Sequence, residues 1–208
     1  DKWGNMIAGT PSGGWLQSSP IIPNLGFCLS NRGQMFWLDE KSPACIGPKR
    51  RPRTTLSPSL ALKDGLPYMV FGTPGGDQQD QWSLHLFLRH IHFGLNLQEA
   101  IDAPGFSTAH FPNSFFPRET DIGHLALEGR FPKETIKELI KRGHKVSVDS
   151  DWSLGRMTAA SMDNGILKGG AKYTKKSDNW YPICIIDGFA TMKEAMQCEW
   201  KLKRKRGY

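Results

Sequence analysis

A chain of 208 residues with mean hydropathy −0.45 is long enough for one domain with a packed core, or one domain plus a fragment. It holds no apolar run of about eighteen residues or more, which excludes a membrane-spanning helix. The net charge of +7 is uneven: residues 168–208 carry ten Lys and Arg against four Asp and Glu, and the body is nearly neutral. A neutral body with a basic tail reads as two segments of separate history.

Cys28, Cys45, Cys184 and Cys198 have no metal-like spacing, and the chain is too cysteine-poor for a disulfide scaffold. Reduced thiols and a cytoplasmic location are expected. Asp1 is not an initiator methionine and no leader follows it, so a processed or cut product is expected.

Residues 1–10 read as a strand, followed by a loop at Pro11-Ser12-Gly13-Gly14. A short strand is expected over residues 26–29, and residues 31–37 continue as loop. Lys49, Arg50, Arg51 and Arg53 crowd a proline-punctuated connection, read as a solvated loop or a counter-charge to acid rather than a nucleic-acid patch. Strands over residues 60–63 and 67–72 are joined by Asp64-Gly65, a favoured hairpin turn. Thr73-Pro74-Gly75-Gly76 then leads into a helix over residues 79–93, where Trp82, Leu86, Phe87 and Ile91 recur near the helical period. His85, His90 and His92 fall on that helix. Their spacing places no three of them on one face with a carboxylate, so they read as core or surface histidines.

Asn96 and Glu99 predict a capping box for a helix over residues 97–103, stopped by Pro104. Residues 106–117, rich in aromatics and proline, read as an irregular wall. A strand over 125–128, a helix over 132–142 ended by Gly143, and a strand over 145–148 follow. A hairpin over 157–161 and 165–168 turns at Met162-Asp163-Asn164. Short strands interleaved with helices predict a layered α/β or α+β domain.

The Gly75-Gly76 pair admits two readings. It is a tight turn, or it aims backbone N–H groups into a helix's positive end, where an oxyanion can be stabilised. Arg51-Pro52-Arg53-Thr54-Thr55-Leu56-Ser57-Pro58 with Gly72-Thr73-Pro74-Gly75-Gly76 resembles the small subunit of the gamma-glutamyltranspeptidase family. The resemblance runs from Asp1-Lys2-Trp3-Gly4-Asn5 to about Gly169, most of the chain.

It implies an N-terminal-nucleophile hydrolase fold, a four-layer αββα sandwich, for residues 1–168. It also implies an amide-bond hydrolase or gamma-glutamyl transferase. In that family, self-cleavage exposes an N-terminal threonine whose α-amino group acts as base. The threonine belongs a few residues ahead of the motif that opens this chain at Asp1, so the nucleophile is missing and the chain is expected to be inactive by itself. An upstream, large-subunit part is then the expected partner. Exposed apolar surface and aggregation are expected where that part would pack.

Residue by residue, the resemblance implies Gly75 and Gly76 as oxyanion-hole donors. Thr54 and Thr55 become hydroxyls for the substrate's carboxylate, and Ser12 stands in place of an asparagine near the nucleophile. Glutamyl-specific members hold the substrate amine with an acid in the segment matching Asn31-Arg32-Gly33-Gln34, where this chain offers Arg32. A small acidic amide without an amino group, such as oxamate, fits better, and Trp15-Leu16-Gln17 and the run from Gly75 to Gln81 resemble the oxamate-amidohydrolase branch. Arg32 as a solvated loop residue is the other reading. The hydrolase part implies no cofactor.

Residues 169–208 resemble the second half of a GIY-YIG endonuclease domain of the Slx1 type, a small α/β fragment. A strand over 181–187 and a helix from Thr191 to about Arg206 are expected, with Thr191 and Glu194 as its capping box. Glu199 falls within the apolar stripe of Met192, Ala195, Met196 and Leu202. In that family the matching glutamate holds a divalent metal such as Mg; the alternative is a stripe-edge Glu paired with Lys203. The motifs and arginine that complete such a nuclease are missing from the sequence, so the tail implies at most weak, salt-sensitive nucleic-acid binding. A chimera joined near residues 165–171, without activity of its own, is the remaining reading.

Overall fold

The computed structural model describes residues 3–13 and 19–172. The chain divides into two compact units, Asp1–Thr174 and Lys175–Tyr208, and every described residue belongs to the first. The strand expected over 181–187, the helix from Thr191, Glu199 and the basic chain end lie outside the described residues.

A four-stranded antiparallel sheet runs in the order β1 (Ser59–Lys63), β2 (Leu66–Gly72), β6 (Thr158–Asp163), β7 (Ile166–Ala171). The β1–β2 turn is at Asp64-Gly65, with Asp64 at φ 54° and Gly65 at φ 78°, the left-handed pair that a tight hairpin demands. The second hairpin turns at Asn164-Gly165 with the same pair of positive φ angles. The expected join near residues 165–171 therefore lies inside β7, which is paired with β6 from Ile166 to Ala171.

Helix α1 (Gln79–Ile91) and helix α2 (Leu97–Asp102) cover one face of this sheet. Met69, Phe71, Met157 and Ala159, alternate residues of β2 and the β6 region, meet Leu86, Leu97, Ala100 and Ile101 in one core. The capping box of α2 is formed as expected: Asn96 Oδ1 accepts from Glu99 N at 3.0 Å, and Glu99 Oε2 accepts from Asn96 N at 2.9 Å. Pairing across the sheet places Leu60, Val70 and Ala160 side by side on the face away from the helices. Leu60, Leu62, Leu66, Ile166 and Leu167 are exposed on the two hairpins, matching the expected uncovered apolar surface.

A second sheet holds β3 (Phe106–Ala109), β4 (Asp121–Glu128) and β5 (Lys145–Asp149), with β4 and β5 parallel across helix α3 (Lys133–Lys141). Three expectations are corrected here. Residues 106–109 are a strand rather than irregular, because Phe106, Ser107 and Thr108 pair with Leu127, Ala126 and Leu125 of β4, which also starts four residues earlier than expected and takes Ala109 opposite Asp121. Residues 3–10 form no strand: they alternate in exposure but have no ladder partner among the described residues. Residues 26–29 make only one bridge, Ile21 with Cys28.

His85 lies against Phe106, ring centroids 3.9 Å apart, and its buried Nδ1 has no partner among the described residues. His90 stacks on Tyr68, shares a hydrogen bond with its hydroxyl at 2.7 Å and another with Leu95 O at 2.7 Å, and His92 is exposed. Burial first, and the Arg89 charge second, lower the His85 pKa from 6.5 to about 4. Between those values the unfolded chain binds a proton that the folded chain refuses, so this residue makes stability fall as pH drops through the window and level off below it. His85→Phe keeps the ring contact and is expected to remove that part of the acid-side slope. Urea unfolding of both forms from neutral pH to about pH 4 checks it, and an unchanged slope refutes it.

Candidate active site

The end of β2 and the turn after it build the site. Thr73-Pro74-Gly75-Gly76 leaves the sheet and enters a single 3-10 turn (Gly76–Gln78) that runs on into α1. Gly75 sits at φ 144° and Gly76 at φ 64°, backbone that L side chains rarely adopt. A Cβ on Gly75 would lie 2.2 Å from Trp82 Cζ3. The turn is tight because the indole packs against it.

Thr73 ties this turn to the far side of the site: its Oγ1 donates to Pro74 O at 2.7 Å and accepts from Arg156 N at 2.8 Å. Gln79 is buried beneath the turn. With its amide nitrogen facing the carbonyls, it donates to Thr73 O at 3.0 Å and Thr55 O at 3.2 Å, and its oxygen accepts from Gly76 N at 3.3 Å. The Gly76 N–H is thus shared with Gln79, whereas no described group accepts from Gly75 N–H.

A cavity of about 740 Å³ opens over this turn. The structure brings Ser12, Arg32, Thr55, Gly75 and Gly76 together in its lining. Arg32 stands on a 3-10 turn (Arg32–Met35); its Nη1 donates to Thr55 Oγ1 at 3.4 Å and approaches Met35 Sδ at 3.8 Å. Its Nε is buried without a partner among the described residues. The side chain lies against Gly13, where an added Cβ would come within 2.6 Å of Nε. Arg32 is therefore a packed wall of the cavity rather than a solvated loop residue.

Thr54 is placed elsewhere. Its side chain is exposed and its Oγ1 accepts from Leu56 N at 3.1 Å, while Thr55 is buried and faces the cavity. Successive side chains on extended backbone point opposite ways, so the two hydroxyls do not converge. Sequence reasoning missed Gln79, Phe115 and Arg156, all in the lining, and Thr10, whose buried Oγ1 is unpartnered among the described residues. Gln79 carried one signal, a polar residue at the buried start of an apolar helix face. Phe115 and Arg156 arrive from distant segments and carried none.

Two arginines and no carboxylate line the cavity among the described residues. Such a site attracts an anionic group and gives a substrate ammonium no counter-charge. No helix of the described residues is long and apolar enough to cross a membrane.

Comparison with known proteins agrees with this architecture. The sequence pattern of the Gamma-glutamyltranspeptidase family matches residues 1–181. That match reaches past the boundary expected at residue 168, and nothing found supports the nuclease resemblance of residues 169–208. The "Glutathione hydrolase-like YwrD proenzyme" of Bacillus subtilis is 34% identical over 157 residues, 74% of this chain and 29% of the relative. The "Oxamate amidohydrolase proenzyme" of Klebsiella pneumoniae subsp. pneumoniae is 36% identical over 156 residues, 73% of this chain and 28% of the relative. The chain thus spans less than a third of the length of either.

The solved "Structure of LmbA2991T421A" superposes with a TM-score of 0.71 and 52% identity, covering 78% of this chain and 29% of that one. The mixed α/β unit also shares its fold with gamma-glutamyltranspeptidase chains of known structure. The family match over residues 1–181, with relatives 34% and 36% identical over about three quarters of the chain, makes this chain a member of the gamma-glutamyltranspeptidase family.

Proposed function

We propose that the chain supplies the oxyanion turn and the carboxylate-binding wall of an N-terminal-nucleophile amidohydrolase acting on a small acidic amide such as oxamate. One observation carries this reading: the cavity lining pairs Arg32 with Thr55 and, among the described residues, holds no acid to receive an amino group. The likeness to an oxamate amidohydrolase proenzyme supports it. In this reading the threonine nucleophile and its α-amino base belong to a part of the fold outside the third that this chain shares with its relatives, and that part also covers the apolar sheet face around Leu60 and Val70.

In the assembled site the threonine hydroxyl adds to the amide carbonyl while its amine takes the proton. The oxyanion forms at Gly75 N–H, with Gly76 N–H released from Gln79 to join it. Ammonia leaves with the transferred proton, and water then hydrolyses the acyl-threonine to the free acid. Arg32 and Thr55 hold the distal carboxylate throughout by charge-assisted hydrogen bonds. No metal or cofactor enters these steps.

Ammonia release from oxamate and from a gamma-glutamyl amide tests the reading, with the chain alone and co-produced with an upstream part that ends in the threonine segment. Release is expected only in the restored sample and faster from oxamate. Release by the chain alone would sink the nucleophile argument. A preference for the gamma-glutamyl amide would sink the carboxylate argument.

A further inference from the structure

Of the apolar side chains in the cavity lining, which include Ile7, Leu56 and Val70, Phe115 is the one carried by a loop of the second sheet. Phe115 reaches it from the loop between β3 and β4, and that loop is fastened at two points. The first is Asp77, directly after the glycine pair. Its Oδ2 accepts from Ser114 N at 2.8 Å, its Oδ1 accepts from Ser114 Oγ, and Arg53 Nη2 lies 3.4 Å from Oδ1. Ser114 is fully buried. The second is Arg118, which donates to Ser114 O, to Phe36 O at 2.8 Å and to Gln34 O at 3.2 Å. Phe36 and Gln34 belong to the segment that carries Arg32.

Phe115 is therefore clamped between the oxyanion turn and the arginine wall, both of which its neighbours hold directly. Surface loops are ordinarily free to yield; a loop with a half-buried carboxylate clasp on a buried serine at one end and a guanidinium bridge at the other is not. An apolar ring carried into a cavity on a fastened loop limits the carbon chain that lies between two polar contacts.

We propose that Phe115 is the specificity-determining wall for the acyl group, and that Asp77 is the residue that positions it. The inference rests on the amidohydrolase reading above. A substrate carboxylate on Arg32 and a carbonyl at Gly75 fix both ends of the acyl group, and the ring bounds what lies between them. Short acyl groups fit; longer or bulkier ones meet the ring.

The test compares oxamate with the longer amides succinamate and glutaramate, using the chain co-produced with its threonine-bearing upstream part. For Phe115→Ala, the ratio of kcat/KM for glutaramate to that for oxamate is expected to rise ~10-fold or more, the scale of discrimination by apolar contacts. Asp77→Asn, which weakens the clasp without touching the ring, is expected to shift the ratio in the same direction. A purely structural role would lower turnover of all three amides together and leave their ratio unchanged. Binding of the same amides is measured by calorimetry on the complex with its nucleophilic threonine replaced by alanine. Turnover with an unchanged ratio in Phe115→Ala would overturn the wall while leaving the amidohydrolase reading intact. No turnover in the native complex would overturn that reading, and the binding ratio then decides on the wall: a shift supports it, no shift refutes it. Absence of binding by every amide would overturn both.

Discussion

Glu128→Ala is expected to destabilise the folded unit by about 3–5 kcal/mol, the range for breaking a buried ion pair from one side. Glu128 is fully buried at the end of β4. Its carboxylate accepts from Gly105 N at 3.0 Å and Leu154 N at 2.9 Å, pairs with Lys172 Nζ at 2.5 Å, and binds Arg130 as well. Arg130 in turn stacks over the Trp152 ring, 3.4 Å from its centroid. Four donors converge on two oxygens. Removing the carboxylate leaves two backbone N–H groups without their acceptor and the buried Lys172 ammonium without its counter-charge, held by Leu154 O alone.

Burial by itself raises the Glu128 pKa, but the hydrogen bonds from Lys172, Gly105 N–H, Arg130 and Leu154 N–H outweigh it and hold the group below its usual 4.5. The sign follows. A depressed carboxylate contributes stability above its unfolded pKa, and loses it as pH falls through the lower folded value. The native chain is expected to show this acid-side loss, and Glu128→Ala is expected to lack it. Lys172→Met is expected to be milder, because Arg130 and the two N–H groups still satisfy the carboxylate. Denaturant midpoints for the three forms check the order. Equal midpoints for the native chain and Glu128→Ala would refute the argument.

The same cluster explains why part of the fold was legible in the sequence and part was not. Asp64-Gly65, the Asn96–Glu99 box and the α1 periodicity are local signals, and each produced the element it predicts. Glu128 gave no such sign, because its partners come from residues 105, 130, 154 and 172. Strand β3 was hidden for the same reason: Phe106–Ala109 becomes a strand through β4, not through its own composition. Residues 3–10 show the converse. Their alternation reads as a strand, but alternation only prepares a segment for a ladder and does not supply the neighbour.

The site divides along the same line. The glycine turn and the threonine pair could be read from contiguous motifs. Which threonine faces the cavity could not, since it depends on the local direction of extended backbone, and only Thr55 turns inward. Arg32 was visible as a charge, but its role as a wall depends on Gly13 leaving room for the guanidinium. Phe115 and Asp77 meet only through a loop 37 residues away in sequence from the turn it clasps.

Gly75→Ala is expected to lower turnover of the assembled site by ~10²–10³-fold, the scale for losing one oxyanion donor. The Cβ would be 2.2 Å from Trp82 Cζ3 and 3.1 Å from Cε3, and the ring has nowhere to go. Trp82 Nε1 donates to Phe106 O at 3.0 Å, and the indole's other flank lies against Gly155, where an added Cβ would be 3.2 Å from Cδ2. A glycine on each side grips one indole, so the strain returns to the turn and rotates the Gly75 N–H away from the cavity. Gly76→Ala is the matched control. It shares a positive φ, but its Cβ would meet nothing closer than Gln78 Oε1 at 4.0 Å. A left-handed alanine there costs about 1–2 kcal/mol of stability, with a smaller loss of turnover because the N–H direction is kept. Steady-state ammonia release from oxamate by the three forms, with KM and kcat separated, reads the difference. The loss for Gly75→Ala is expected in kcat, since a donor that acts on the developing oxyanion does little for the bound substrate. A loss confined to KM, or a kcat unchanged by Gly75→Ala, would remove Gly75 from the oxyanion hole.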